Sequence, residues 1–185
     1  ILVAMIFLAC SGEEDVIPPD TSYYHPAGIG FDFPDGWSML SPNEVEKFES
    51  DKTLVTIMDA ERKAGFSLIA MNATGDVRLA VNLLGDEPAA KAAMAMQSII
   101  AAAPNQYEEF ELVSHDAVLF AGVPMAELVF TGRNPGKELK WHRLLILTGG
   151  GDNDTILMIY AATPIGENET YGDAFKAIER SWQWN

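Results

Sequence analysis

Between residues 110 and 162 the chain reads as four extended segments separated by three tight turns. Little but an antiparallel meander can be built from that. The segments are Phe110 to Phe120, Val123 to Thr131, Lys137 to Thr148 and Thr155 to Ala162. Between them lie Ala121-Gly122, Arg133-Asn134-Pro135-Gly136 and the run GGGDND at Gly149 to Asp154, all rich in turn formers. Such short joints leave no room for a crossover, so neighbours pair antiparallel. The fourth segment is almost wholly apolar, which predicts a central strand covered on both faces.

Helices are available as covers. Asp86 can cap a helix with Glu87 and Pro88 in its first turn, running through alanines to Ala103 and stopping at Pro104. Ala89, Ala92, Ala93, Met96, Ile99, Ile100 and Ala103 recur at helical spacing, with Lys91 and Ser98 opposite. Small side chains let this axis approach a sheet closely. A second helix is predicted from Asn168 to Arg180, its stripe formed by Tyr171, Ala174, Phe175, Ile178 and the following Trp182. Glu169 and Asp173 lie early in it, and Lys176 and Arg180 late, as the helix dipole favours.

Upstream, Ile29, Phe31 and Phe33 alternate with Gly30 and Asp32 as in a half-buried strand. The turn Pro34-Asp35-Gly36 and the extended Trp37 to Leu40 suggest a hairpin. Ser41 to Phe48 fits a short helix, and Leu54 to Met58 and Phe66 to Met71 fit strands about a turn at Glu61 to Gly65. Asp76 to Leu84 fits neither pattern well. The expected fold class is α+β: an antiparallel β-sheet flanked by helices, in one domain from residue 23 to residue 185. With 185 residues, 48% of them hydrophobic, a core of this size is available.

The first nine residues, ILVAMIFLA, form an unbroken apolar run too short to span a bilayer. They suit the h-region of a signal peptide, and the sequence is expected to begin part-way through one, since Met and a basic n-region are missing. Cys10, the only cysteine, follows Leu8-Ala9. This resembles a lipoprotein lipobox, with Phe7 and Leu8 where a Leu and a small residue are usual. Lipidation of Cys10 is the expectation, and an ordinary signal peptide with an incidental cysteine the alternative. Residues 10–22 then read as the anchored cysteine and an acidic, flexible tether. Ser11 in place of Asp is expected to direct a Gram-negative lipoprotein to the periplasmic face of the outer membrane.

The formal net charge is -15, all of it beyond Cys10. A surface of that sign repels phosphate backbones, so nucleic acid is not an expected partner. Solubility explains the acidity, and a surface for cations or basic partners is the sharper reading. Chemistry is sparse. His25, His115 and His142 are too far apart in sequence to suggest a cage. Ser114-His115-Asp116 has the residue types of a catalytic triad, but adjacent strand residues point to opposite faces. Glu108-Glu109 reads as a solvated pair. Asp152, Asn153 and Asp154 offer dense oxygen ligands and could take a Ca²⁺ ion. Trp141, Trp182 and Trp184 are expected to pack in the core or at its rim; exposed together, they would mark a binding surface.

Gly30-Phe31-Asp32-Phe33-Pro34-Asp35-Gly36-Trp37 resembles the opening F-x-[FY]-P-x-G-W strand and turn of the PsbP-like superfamily. That group includes the photosystem II extrinsic protein PsbP, DcrB-type lipoproteins and Ran-binding Mog-type proteins. Its closing apolar strand, helix and Ser-aromatic strand are similar to Ile156 to Ala162, Tyr171 to Arg180 and Ser181-Trp182-Gln183-Trp184. The resemblance implies an α/β/α sandwich that serves assembly, stabilising or binding roles, with no cofactor and no catalytic residues to carry over. Photosynthesis is not carried over. The expected function is therefore a non-enzymatic cell-envelope lipoprotein, anchored to the membrane through Cys10, that binds an envelope protein. A small-ligand or divalent-cation binding protein is the alternative, and a hydrolase with a dispersed site ranks last.

Overall fold

The computed structural model describes residues 21–25, 28–41, 53–72, 88–148 and 155–184. Five strands come first: β1 (Ser22–His25), β2 (Ile29–Asp32), β3 (Trp37–Met39), β4 (Thr53–Asp59) and β5 (Gly65–Asn72). Helix α1 (Pro88–Gln106) leads into β6 (Glu108–Phe120), β7 (Val123–Arg133), β8 (Leu139–Thr148) and β9 (Thr155–Pro164), and α2 (Asn168–Ser181) and β10 (Gln183–Trp184) close the chain. The predicted short helix after Ser41, the ambiguous stretch 76–84 and the Asp86 cap lie outside the described residues.

The meander is present as expected. Seven strands pair antiparallel in the order β3-β4-β5-β9-β8-β7-β6. Strand β9 is the middle one. Its Ile159 and Ala161 enter one core cluster, and Ile156, Met158 and Tyr160 join the other. Alternation along β8 separates the clusters in the same way, with Leu145 on one face and Leu144 and Ile146 on the other. Helix α1 covers one face through Ala92, Ala95 and Met96, and α2 covers the opposite face through Phe175 and Ile178. The result is a helix-sheet-helix sandwich. No described helix is long and apolar enough to cross a membrane.

Four expectations need correction. Strands β2 and β3 do not form a hairpin. The turn between them is real, with the Trp37 amide donating to the Pro34 carbonyl at 3.0 Å, but β3 pairs with β4, whereas β2 joins a separate three-stranded sheet, β1-β2-β10. Phe31 faces the core under α2, and that burial outweighs local pairing. Helix α1 passes through Pro104 to Gln106. A proline in the last turn forfeits one backbone bond, and the Tyr107 amide still closes onto the Ala103 carbonyl at 2.9 Å. The buried stripe of α1 uses Ala95, while Ala93 is exposed. The terminal strand is shorter than expected, because Ser181 ends α2 and Trp182 caps it in extended conformation.

The residues that carry the PsbP-like resemblance form a clamp joining the two ends of the described chain. Phe31 stacks on Trp182 with ring centroids 5.0 Å apart and planes 1° from parallel. The Asp32 amide donates to Ser181 Oγ at 2.9 Å, and Gln183 and Trp184 pair with Gly30 and Ile29. Trp37 meets Tyr171 and Phe175 edge-on at 6.3 and 6.0 Å. These aromatics are close enough to add to simple area burial.

Candidate interaction surface

His142, Arg143 and Asp59 are held in structural bonds. His142, 1% exposed, lies beneath α1. Its Nε2 is 3.1 Å from the Gly132 carbonyl, which can only accept, so Nε2 carries the proton. Nδ1 is then the acceptor and takes the Tyr160 hydroxyl proton at 2.6 Å. Tyr160 is in turn hydrogen-bonded to Tyr107. Phe130 stacks on the imidazole at 4.6 Å and Tyr107 meets it edge-on at 5.1 Å. Burial pushes the imidazole down to about 4, only partly opposed by the bond to Gly132. Tyr107 lies against Gly132, where an added Cβ would sit 3.1 Å from it. The sequence places His142 on a sheet face but gives no sign that the face is sealed.

On the other face of the sheet, Arg143 Nε donates to Glu127 Oε1 at 2.6 Å, both side chains being largely buried. Arg133 bridges Glu108 and Glu109 at 3.2 and 2.6 Å, and both carboxylates stand exposed to solvent as expected. Asp59 accepts from the Ala64 amide at 2.8 Å and the Tyr171 hydroxyl at 3.2 Å.

Ser114, His115 and Asp116 pair in consecutive register with Val129, Leu128 and Glu127, so His115 points away from its two neighbours. No group of three metal-ligating side chains occurs among the described residues. Cys10 and the Asp152-Asn153-Asp154 loop lie outside the described residues.

The three tryptophans do not make a surface. Trp182 is 7% exposed and sits in the core with Phe31, Phe66 and Phe120. Trp184 packs beside it at 5.2 Å. Trp141, half-buried on β8 between Thr131 and Thr163, makes no ring contact with either.

Exposed apolar side chains gather elsewhere. Of six large ones among the described residues, three lie on β6: Leu112, Val113 and Leu119, at 38%, 55% and 69% exposure. Strand β6 is the edge of the seven-stranded sheet, and no described strand pairs with its outer side. Its tip, with Ala121 and Gly122, forms one wall of an open groove of about 570 Å³, opposite Lys176, Glu179 and Arg180 of α2 and next to Trp182. The turn itself is strained: Ala121 has φ 46° and Gly122 φ 80°, a two-residue turn of the primed type that favours Asn-Gly.

The overall fold recurs in solved structures. CyanoP, the cyanobacterial PsbP from Synechocystis sp. PCC 6803, superposes with a TM-score of 0.57 at 18% identity, over 96% of this chain and 98% of its own. The chain has the PsbP-like fold. LpqN of Mycobacterium tuberculosis, described as involved in cell envelope biogenesis, superposes with a TM-score of 0.58 at 16% identity, over 85% of this chain and 83% of its own. No family model and no curated protein sequence matches the chain. A shared fold does not fix a function, so any role must be argued from the residues this chain presents.

Proposed function

We propose that this protein is a non-enzymatic cell-envelope module, held to the membrane through a lipidated Cys10 and extracytoplasmic, that binds a protein partner. One observation carries the reading: the exposed apolar side chains concentrate on the edge strand β6 and run into the groove beside α2. Apolar groups left in water along an open sheet edge are a standing site for association. The buried His142 and the half-buried Arg143 and Asp59 support the same view, since their polar atoms bond within the fold. The apolar N-terminal run and Cys10 support the anchor, and the net charge of -15 argues against nucleic acid. Similarity to LpqN supports an envelope setting, with the periplasmic face of the outer membrane as the site in a Gram-negative host.

The test uses the full chain behind a complete lipoprotein signal sequence, with a photo-crosslinking residue at Leu119 or, for comparison, at Ile165. Membrane fractionation and mass spectrometry should find an acylated Cys10, release of the Cys10→Ala form, and protein adducts from position 119 alone. An unmodified Cys10 ends the anchor. Equal adducts from both positions, or none, end the binding role.

A further inference from the structure

The geometry points to strand addition at the outer edge of β6 over Ser114–Phe120, by an extended segment of a partner protein carrying a basic residue opposite Asp116. This rests on the binding role proposed above and names the chemistry of the partner.

Strand β6 has two irregular stretches, one between Glu108 and Glu111 and one between Leu112 and Ser114. Beyond them, Ser114 to Phe120 pairs residue for residue with β7 as far as Val123. Bulges blunt an edge, but these seven residues are regular and span roughly 23 Å. Of the other usual protections, proline, lysine and arginine are absent from Glu108–Phe120, and Asp116 is the one charge within the regular run. The backbone donors and acceptors on the outer side of this run are unpaired within the seven-stranded sheet. An incoming strand would satisfy them and cover apolar surface along the edge.

Charge decides what kind of strand fits. Asp116 lies directly opposite Glu127 on β7. Like charges opposed across a sheet destabilise it, and Glu127 already has its cation in Arg143, diagonally placed on β8. No ion pair involves Asp116 among the described residues. An eighth strand with Lys or Arg opposite Asp116 would place a cation on each side of the two carboxylates. A second copy of this chain cannot supply it, because β6 itself has no lysine or arginine and each chain has a net charge of -15.

The probe is a fluorescent nonapeptide of alternating threonine and valine with lysine at its centre. Its partners are the same peptide with central glutamate and the lysine peptide N-methylated at alternate residues. Anisotropy against the folded full chain should show the lysine peptide binding roughly fivefold or more tightly than the glutamate peptide. The N-methylated peptide should not bind. The preference should invert in Asp116→Lys, an exposed position where folding is retained. Hydrogen exchange should slow in the complex at the outward-facing amides of Ser114–Phe120, those that do not already bond to β7. Equal binding of the N-methylated peptide, or a preference that D116K leaves unchanged, overturns strand addition. So does protection of these amides in the peptide-free monomer, or their protection on self-association. Adducts from Leu119 together with no peptide binding would leave the binding role standing and remove this mode of it. Peptide binding with no adducts in the envelope would remove the role instead.

Discussion

Moving the protein from about pH 7.5 to about pH 5 protonates His142 in the unfolded chain well before it does so in the folded one. In the fold the imidazole is held down to about 4 by burial, against an ordinary value of 6.5. Because the folded value is depressed and the neutral form is the one buried, stability from this group is fully present above 6.5. It is lost progressively as the pH falls towards 4, and levels off below. The linkage relation gives a loss of roughly 2 kcal/mol by pH 5 and roughly 3 kcal/mol by pH 4. The structural cost is visible in the hydrogen bonds. A protonated Nδ1 would have to donate, yet it faces the hydroxyl that Tyr160 now donates, so the Tyr107-Tyr160-His142 chain would have to reverse. Urea unfolding at pH 7.5 and pH 5 is the assay, and pH 5 keeps clear of the isoelectric point near 4.4. The wild-type midpoint should fall by about 1 M more than that of His142→Gln, which keeps a donor and an acceptor but does not titrate. Parallel pH dependence in the two proteins, or an imidazole that titrates near 6.5 by NMR, would refute the assignment.

Four further outcomes are expected. Ala121→Asn should stabilise the protein by about 0.5–1 kcal/mol in thermal or urea unfolding, because Ala121 occupies the left-handed region and Asn-Gly suits that turn. Trp182→Ala should cost about 3–5 kcal/mol by opening the aromatic clamp. Trp182→Phe should cost less than about 1.5 kcal/mol, since the indole N–H it deletes has no hydrogen-bond partner among the described residues. Arg143→Met should cost about 3 kcal/mol by stranding Glu127, and a double-mutant cycle with Glu127→Gln should recover much of that.

What the sequence makes legible depends on how far each signal reaches. The meander is local: turn residues at 121–122 and 133–136 and the apolar run from Thr155 set order, direction and the central strand, and the fold follows them. The second sheet is not local. Gly28–Phe33 and Trp37–Leu40 have every short-range sign of a hairpin. Their separation is decided by Phe31 meeting Trp182 and by Gly30 pairing with Gln183 near the far end of the chain. The same long-range contact decides between the two readings of the tryptophans in favour of core packing, because a short terminal strand bearing two indoles looks alike whether it edges a groove or closes a core. His142 is legible as a strand residue and illegible as a buried one, since its sealing depends on the unusually close approach of Tyr107 over Gly132.

The resemblance and the proposed surface therefore draw on different residues. Phe31, Trp37, Ser181 and Trp182 make the sequence recognisable because they join the two sheets and α2, and that packing leaves them buried or half-buried. The exposed edge at Ser114–Phe120 carries none of that signature. A chain can keep the clamp and change its edge strand freely, so proteins sharing this architecture need share no partner. In this chain Asp116, opposed by Glu127 and with no ion pair among the described residues, gives the edge its selectivity.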